Sequence, residues 1–177
     1  MKVRNNLYSS PAMTLRKATV LLAFFVIPLL LFSSCAKNGE NNPDSPCIKL
    51  SIECTNALKS GLLSEEMTTL LPEDGVILSC DAEFSDGESV ADILLRETKN
   101  AGILTEVSFT PMYGSIYVEG IANLYEFDCG ELSGWMYRVN GEFPNYGCSG
   151  YYPEDGDVVE WVYTCDLGKD VGSTDFS

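Results

Sequence analysis

Ala18–Phe32 is a run of fifteen residues without a charge, dense in Leu, Phe, Val and Ile. Fifteen falls short of the roughly 20 that a spanning helix needs. Lys2, Arg4, Arg16 and Lys17 are the only charged residues before Cys35, and Ser33-Ser34 precede that cysteine. A basic leader, a short apolar core and small residues ahead of a cut form the export-signal pattern. Met13 offers a second start with a leader of more usual length. The folded part must therefore be built from the residues beyond Ser34. Of 177 residues, that remainder is about one domain's worth, large enough to bury a core of its own.

Phe32-Ser33-Ser34-Cys35 resembles a lipobox, with Phe32 standing where Leu is usual. The resemblance implies residues 1–34 as a lipoprotein signal peptide and Cys35 as the first mature residue, carrying a diacylglycerol thioether. Two acyl chains anchor stably where one does not, at about 0.8 kcal/mol per buried methylene. Ordinary signal cleavage with a free Cys35 is the alternative. Residues 35–46 hold Asn, Gly, Pro and Ser and no bulky apolar side chain, the composition of a flexible tether. The expected location is the extracytoplasmic side of a cell membrane.

Seven of the eleven basic residues and all 26 acidic ones lie beyond Cys35, a formal charge of −19 for that part. Such a surface repels phosphate backbones, which argues against nucleic acid as a partner. Histidine is absent, which removes the standard catalytic triads and the commonest metal ligand. No P-loop, GxSxG, HExxH or dinucleotide fingerprint occurs. The reading is no enzyme, no cofactor and no metal. Asp155 and Asp157 are the nearest candidates for a carboxylate pair or, with Asp166, for calcium, but a turn before a strand is the favoured account of them.

Cys47–Cys54 alternates, with Ile48, Leu50, Ile52 and Cys54 on one face, and reads as a half-buried strand. Val76–Phe84 repeats the pattern. Glu88–Asn100 has helical spacing at Val90, Ile93 and Leu94, and Gly102 stops it. Glu106–Thr110, Ser115–Ile121, Gly134–Val139 and Val158–Cys165 are further strands, and Asn140-Gly141 marks a tight turn. Two strands, a helix and more strands predict an α+β domain over residues 47–177. The order suggests a β-grasp-like mixed sheet with one main helix packed on it.

Gly134-Trp-Met-Tyr-Arg-Val-Asn-Gly141, Asn145-Tyr-Gly147, Asp155-Gly-Asp157 and Glu160-Trp161 together resemble the transcobalamin-like C-terminal domain family of secreted and surface bacterial proteins. The resemblance spans roughly residues 51–172. It implies a β-grasp-like fold and non-catalytic binding, with a corrinoid as one ligand class.

Cys47, Cys54, Cys80, Cys129, Cys148 and Cys165 are an even set in an exported chain, which favours disulfides. In a β-grasp the first and last strands are parallel neighbours, so Cys54–Cys165, Cys47–Cys80 and Cys129–Cys148 are the expected pairs. Free buried thiols and a four-cysteine zinc site are the alternatives. Twelve of the nineteen aromatic residues fall between Tyr113 and Tyr163. Trp135, Tyr137, Trp161 and Tyr163 take inward strand positions. Phe143, Tyr146, Tyr151 and Tyr152 lie in a Gly/Pro/Asn loop, where ligand contact is easier than burial. These four are the candidate ligand-binding residues, for a small molecule or a glycan. The competing reading is a structural or adhesion module that binds a protein partner.

Overall fold

The computed structural model describes residues 45–174. The expected signal peptide, the lipidated Cys35 and the tether up to residue 44 lie outside the described residues. No helix among the described residues is long and apolar enough to cross a membrane.

The described residues form seven strands and three α-helices in the order β1 (Cys47–Glu53), α1 (Thr55–Ser60), α2 (Glu65–Leu70), β2 (Val76–Glu83), α3 (Val90–Ala101), β3 (Thr105–Thr110), β4 (Ser115–Ile121), β5 (Leu124–Tyr125), β6 (Gly134–Val139) and β7 (Val158–Thr164), with short 3-10 turns at Cys148–Gly150 and Lys169–Val171. The protein is α+β. Its main sheet has the order β2-β1-β7-β6. β1 runs parallel to β7, with Leu50 opposite Val159 and Ile52 opposite Trp161. β2 and β6 flank the pair as antiparallel edges. First and last strands are thus central neighbours, as expected.

Alternation sets the core. Ile48, Leu50 and Ile52 of β1 are buried together with Trp135, Tyr137 and Val139 of β6 and Val159, Trp161 and Tyr163 of β7. Val90, Ala91, Ile93, Leu94 and Thr98 of α3 join the same cluster or its buried surround. Ser89 starts this helix as a reciprocal cap. Its hydroxyl accepts from the Asp92 N–H (3.2 Å), and its own N–H donates to the Asp92 carboxylate (2.9 Å). Such a cap satisfies two amides that a helix start otherwise leaves open. Gly102, with φ of 70°, ends the helix in the left-handed conformation.

The mixed sheet expected from the sequence is present, and a second sheet that the sequence did not reveal accompanies it. β3, β4 and β5 form a separate three-stranded antiparallel sheet. The short return of Ala122-Asn123, both at positive φ, folds β5 back onto β4 before the chain reaches β6.

The expected disulfides need correction. All six cysteines of the described residues are free thiols. Register explains the first two misses. Glu53 lies opposite Val162, so Cys54 is level with Tyr163, two residues or about 7 Å short of Cys165. Cys47 faces Glu83 while Cys80 faces Leu50. Three residues separate the two positions, which puts their side chains on opposite faces of the sheet. Cys129 lies in the loop between β5 and β6, where Ser60 Oγ bonds its sulfur (3.6 Å). Cys148 lies against Ser115 instead (3.9 Å). Cys129 interacts with Cys165, and burial together with that contact pushes the Cys165 thiol up to about 12.

Candidate functional site

The loop between β6 and β7 borders a cleft among the described residues. It leaves β6 through Asn140-Gly141, both at positive φ (51° and 85°), the geometry that matches strand twist in a two-residue hairpin turn. Val139 and Glu142 exchange backbone bonds of 2.9 and 3.0 Å across it. The Asn140 side chain donates to Asp157 Oδ1 (2.7 Å) and accepts from the Val158 N–H (2.9 Å). The turn is therefore locked to the start of β7.

The rest of the loop is tied down at three places. Tyr137 Oη donates to the Tyr146 carbonyl (2.8 Å). Gly147 lies so close to β4 that a Cβ on it would stand 2.3 Å from both Cβ and Oγ of Ser115. Beside it, Ser115 Oγ accepts from the Ser149 N–H (3.1 Å) and Ser149 Oγ accepts from the Ile116 N–H (3.1 Å). Finally, the Tyr151 carbonyl accepts the Val90 N–H at the start of α3 (2.9 Å). Second sheet, helix and loop thus become one frame.

Four aromatic rings pack within this frame. Tyr146 and Tyr151 stack with ring centres 5.8 Å apart and planes 11° from parallel. Tyr151 meets Tyr137 edge to face at 6.1 Å, and Tyr137 leans on Trp161 at 5.5 Å. Such pairs contribute about 0.5–1.5 kcal/mol each beyond their area. Burial raises the Tyr137 phenol above its ordinary value, so it stays a protonated donor to the loop.

Between the loop and the β3–β4 tip lies a cleft of about 570 Å³, within the range of small-molecule sites. Tyr113, Met136, Tyr137, Phe143, Pro144, Asn145, Tyr146 and Gly147 line it. None of them is charged. Of the four loop aromatics expected to bind, Phe143 and Tyr146 line the cleft. Tyr151 does not line it; it backs Tyr146. Tyr152 also lies outside the lining and is 61% exposed. Sequence reasoning missed Tyr113, Met136, Pro144, Asn145 and Gly147, and placed Tyr137 in the core alone. Tyr113 comes from the turn at Pro111–Gly114, whose Pro and Gly mark it as a loop tip.

Asp155 and Asp157 have structural partners. Asp155 Oδ1 accepts the Cys47 N–H (2.8 Å), and Asp157 Oδ2 accepts the Glu154 N–H (2.8 Å). Among the described residues no group of three or more Cys, Asp or Glu is placed to hold a metal ion.

Residues 87–165 match the model of a family described as Domain of unknown function (DUF4430). No curated protein matches the chain. Among solved structures, haptocorrin in complex with Cbi is similar at 13% identity and a TM-score of 0.52, over 69% of this chain and 25% of that one. The chain thus spans about a quarter of haptocorrin's length. A putative metal binding protein from Ruminococcus gnavus ATCC 29149 is similar at 16% identity and a TM-score of 0.42, over 67% of this chain and 96% of that one. At such identities the likeness to haptocorrin is one of fold, and α3 through β7, the part that carries the cleft, is the part that the family model covers.

Proposed function

We propose that the protein is a lipid-anchored, extracytoplasmic binding module whose aromatic cleft takes a small ligand with an extended apolar face, a corrinoid or a glycan, without catalysis. The observation that carries this reading is the cleft itself: about 570 Å³, bounded by three tyrosines and a phenylalanine. Flat aromatic faces bind flat or ring-shaped ligands by stacking and dispersion. The loop that supplies two of them is held from three sides, so little ordering has to occur on binding. Haptocorrin, with the similar fold, was solved in complex with Cbi, which makes corrinoids the first class to try.

Titration calorimetry with a cobinamide, a cobalamin and a set of oligosaccharides tests the reading. One class should bind, and Phe143→Ala and Tyr146→Ala should each weaken it at least tenfold. Binding unchanged in both variants, or no binding by any class, refutes the cleft as the site. The anchor has a separate test. Labelling cells with a palmitate analogue should mark the protein and leave Cys35→Ser unmarked.

A further inference from the structure

Large apolar side chains are costly in two ways: in water, and at positive φ, where Cβ crowds the backbone. Two of the described residues combine both costs. Phe127 has φ of 70° and is 61% exposed; Leu167 has φ of 46° and is 43% exposed. Their loops touch. The Phe127 N–H donates to the Ser133 carbonyl (3.1 Å) and the Leu167 N–H to the Leu132 carbonyl (2.9 Å). Leu132, between them, is 46% exposed. The turns that impose these angles are closed by further bonds, from the Gly130 N–H to the Phe127 carbonyl (2.9 Å) and from the Gly168 N–H to Thr164 Oγ1 (2.7 Å). Asn or Gly would meet the same turns with less strain. Strain held by its surroundings and spent on displaying an apolar side chain points to a contact made by that side chain.

The surroundings indicate what makes it. Each apolar residue has acidic neighbours in sequence: Glu126 and Asp128 flank Phe127, Glu131 precedes Leu132, and Asp166 precedes Leu167. Lys169 is the nearest cation along the chain. An apolar centre with a charged rim is the anatomy of a protein interface, and the sign of the rim selects its partner. An anionic bilayer is disfavoured by four carboxylates on a chain whose part beyond Cys35 carries a formal charge of −19.

We propose that Phe127, Leu132 and Leu167 form a docking patch for a basic segment of a partner protein. The partner sets an apolar side chain on the patch and lysine or arginine against Glu126, Asp128, Glu131 and Asp166. This surface is independent of the aromatic cleft, none of whose lining residues it uses.

Fluorescence anisotropy of the full chain with a short labelled peptide of alternating lysine and leucine tests the proposal. An all-lysine peptide and a glutamate–leucine peptide are the controls. The lysine–leucine peptide should bind at least tenfold more tightly than either. Phe127→Asn and Leu167→Asn should each weaken it at least fivefold while the melting temperature holds or rises. That divergence separates a docking role from a packing role, which would lower the melting temperature. Equal binding of the all-lysine peptide, unchanged affinity in both variants, or a fall in their melting temperature overturns the proposal. So does sedimentation that shows a dimer dispersed by the variants, or binding to phosphatidylglycerol vesicles that the variants abolish.

Discussion

Gly147→Ala tests the frame that holds the cleft. The added Cβ would stand 2.3 Å from two Ser115 side-chain atoms, where ordinary contact begins near 3.4 Å. Loop and β4 must therefore part by more than 1 Å. Overpacking a tight contact costs about 1–3 kcal/mol. The same parting stretches the two Ser115–Ser149–Ile116 hydrogen bonds, now 3.1 Å each, and each is worth about 1 kcal/mol. The expected loss is about 3 kcal/mol. For a domain of this size that lowers the melting temperature by about 10 °C. Urea melts followed by tryptophan fluorescence measure it, with Trp161 packed on Tyr137 as a local reporter. Ser115→Gly removes both atoms that the new Cβ strikes. Alone it costs about 1–2 kcal/mol through the lost hydrogen bonds. Combined with Gly147→Ala it should recover at least about 1 kcal/mol relative to the sum of the single changes. A Gly147→Ala protein that melts with the wild type, or a double variant that is strictly additive, would refute the close approach of loop and strand.

Other contacts give three further outcomes. Ser89→Ala removes the cap of α3 and should cost about 1 kcal/mol. The Ser89 hydroxyl and amide also hold the Asp92 carboxyl below its ordinary value. That contribution is therefore present above the unfolded pKa and lost as pH falls through the folded one. The stability gap between wild type and Ser89→Ala should narrow in denaturant melts taken from about pH 5 down to about pH 3, and a constant gap would contradict the assignment. Of the six thiols of the described residues, Cys54 and Cys165 should be slow to react with Ellman's reagent at about pH 8 while the protein is folded, since attack needs the thiolate. Burial pushes Cys54 up to about 11, and burial with the Cys129 contact pushes Cys165 up to about 12. All should react once the chain unfolds without reductant; a requirement for reductant would show bonded sulfurs instead. Tyr137→Phe keeps the ring packing but frees the Tyr146 carbonyl. It should weaken a cleft ligand several-fold in calorimetry, whereas Tyr152→Ala, outside the lining, should leave it unchanged.

The sequence's legibility followed the range of the interactions that set each feature. β1, β2, β6 and β7 were readable because one buried face forces a period of two, and a slip of one residue would turn every side chain outward. The same pattern exposed the buried stripe of α3, and Gly102 its end. The split of β3–β5 into their own sheet was not readable. It depends on Ala122 and Asn123 taking positive φ, which Ala seldom does. The cysteine pairs failed for a related reason. Knowing that β1 and β7 are neighbours does not give their register, and an offset of two residues is enough to separate Cys54 from Cys165.

The candidate site shows where that limit falls for function. Composition singled out the loop from Phe143 to Tyr152, because aromatics among Gly, Pro and Asn cannot all be buried. It could not rank them, since their roles depend on where the loop is pinned. Gly147 against Ser115 and the Tyr151 carbonyl on α3 turn Phe143 and Tyr146 toward the cleft, set Tyr151 behind Tyr146 and leave Tyr152 aside. The far wall, Tyr113, comes from a hairpin tip some thirty residues earlier in the chain. Tyr137 serves both sides of that boundary. Its ring packs on Trp161, its hydroxyl holds the loop and its edge lines the cleft, so stability and binding meet at one side chain. A substitution there should disturb both, whereas one at Phe143, which lines the cleft without belonging to the buried core, should disturb binding alone.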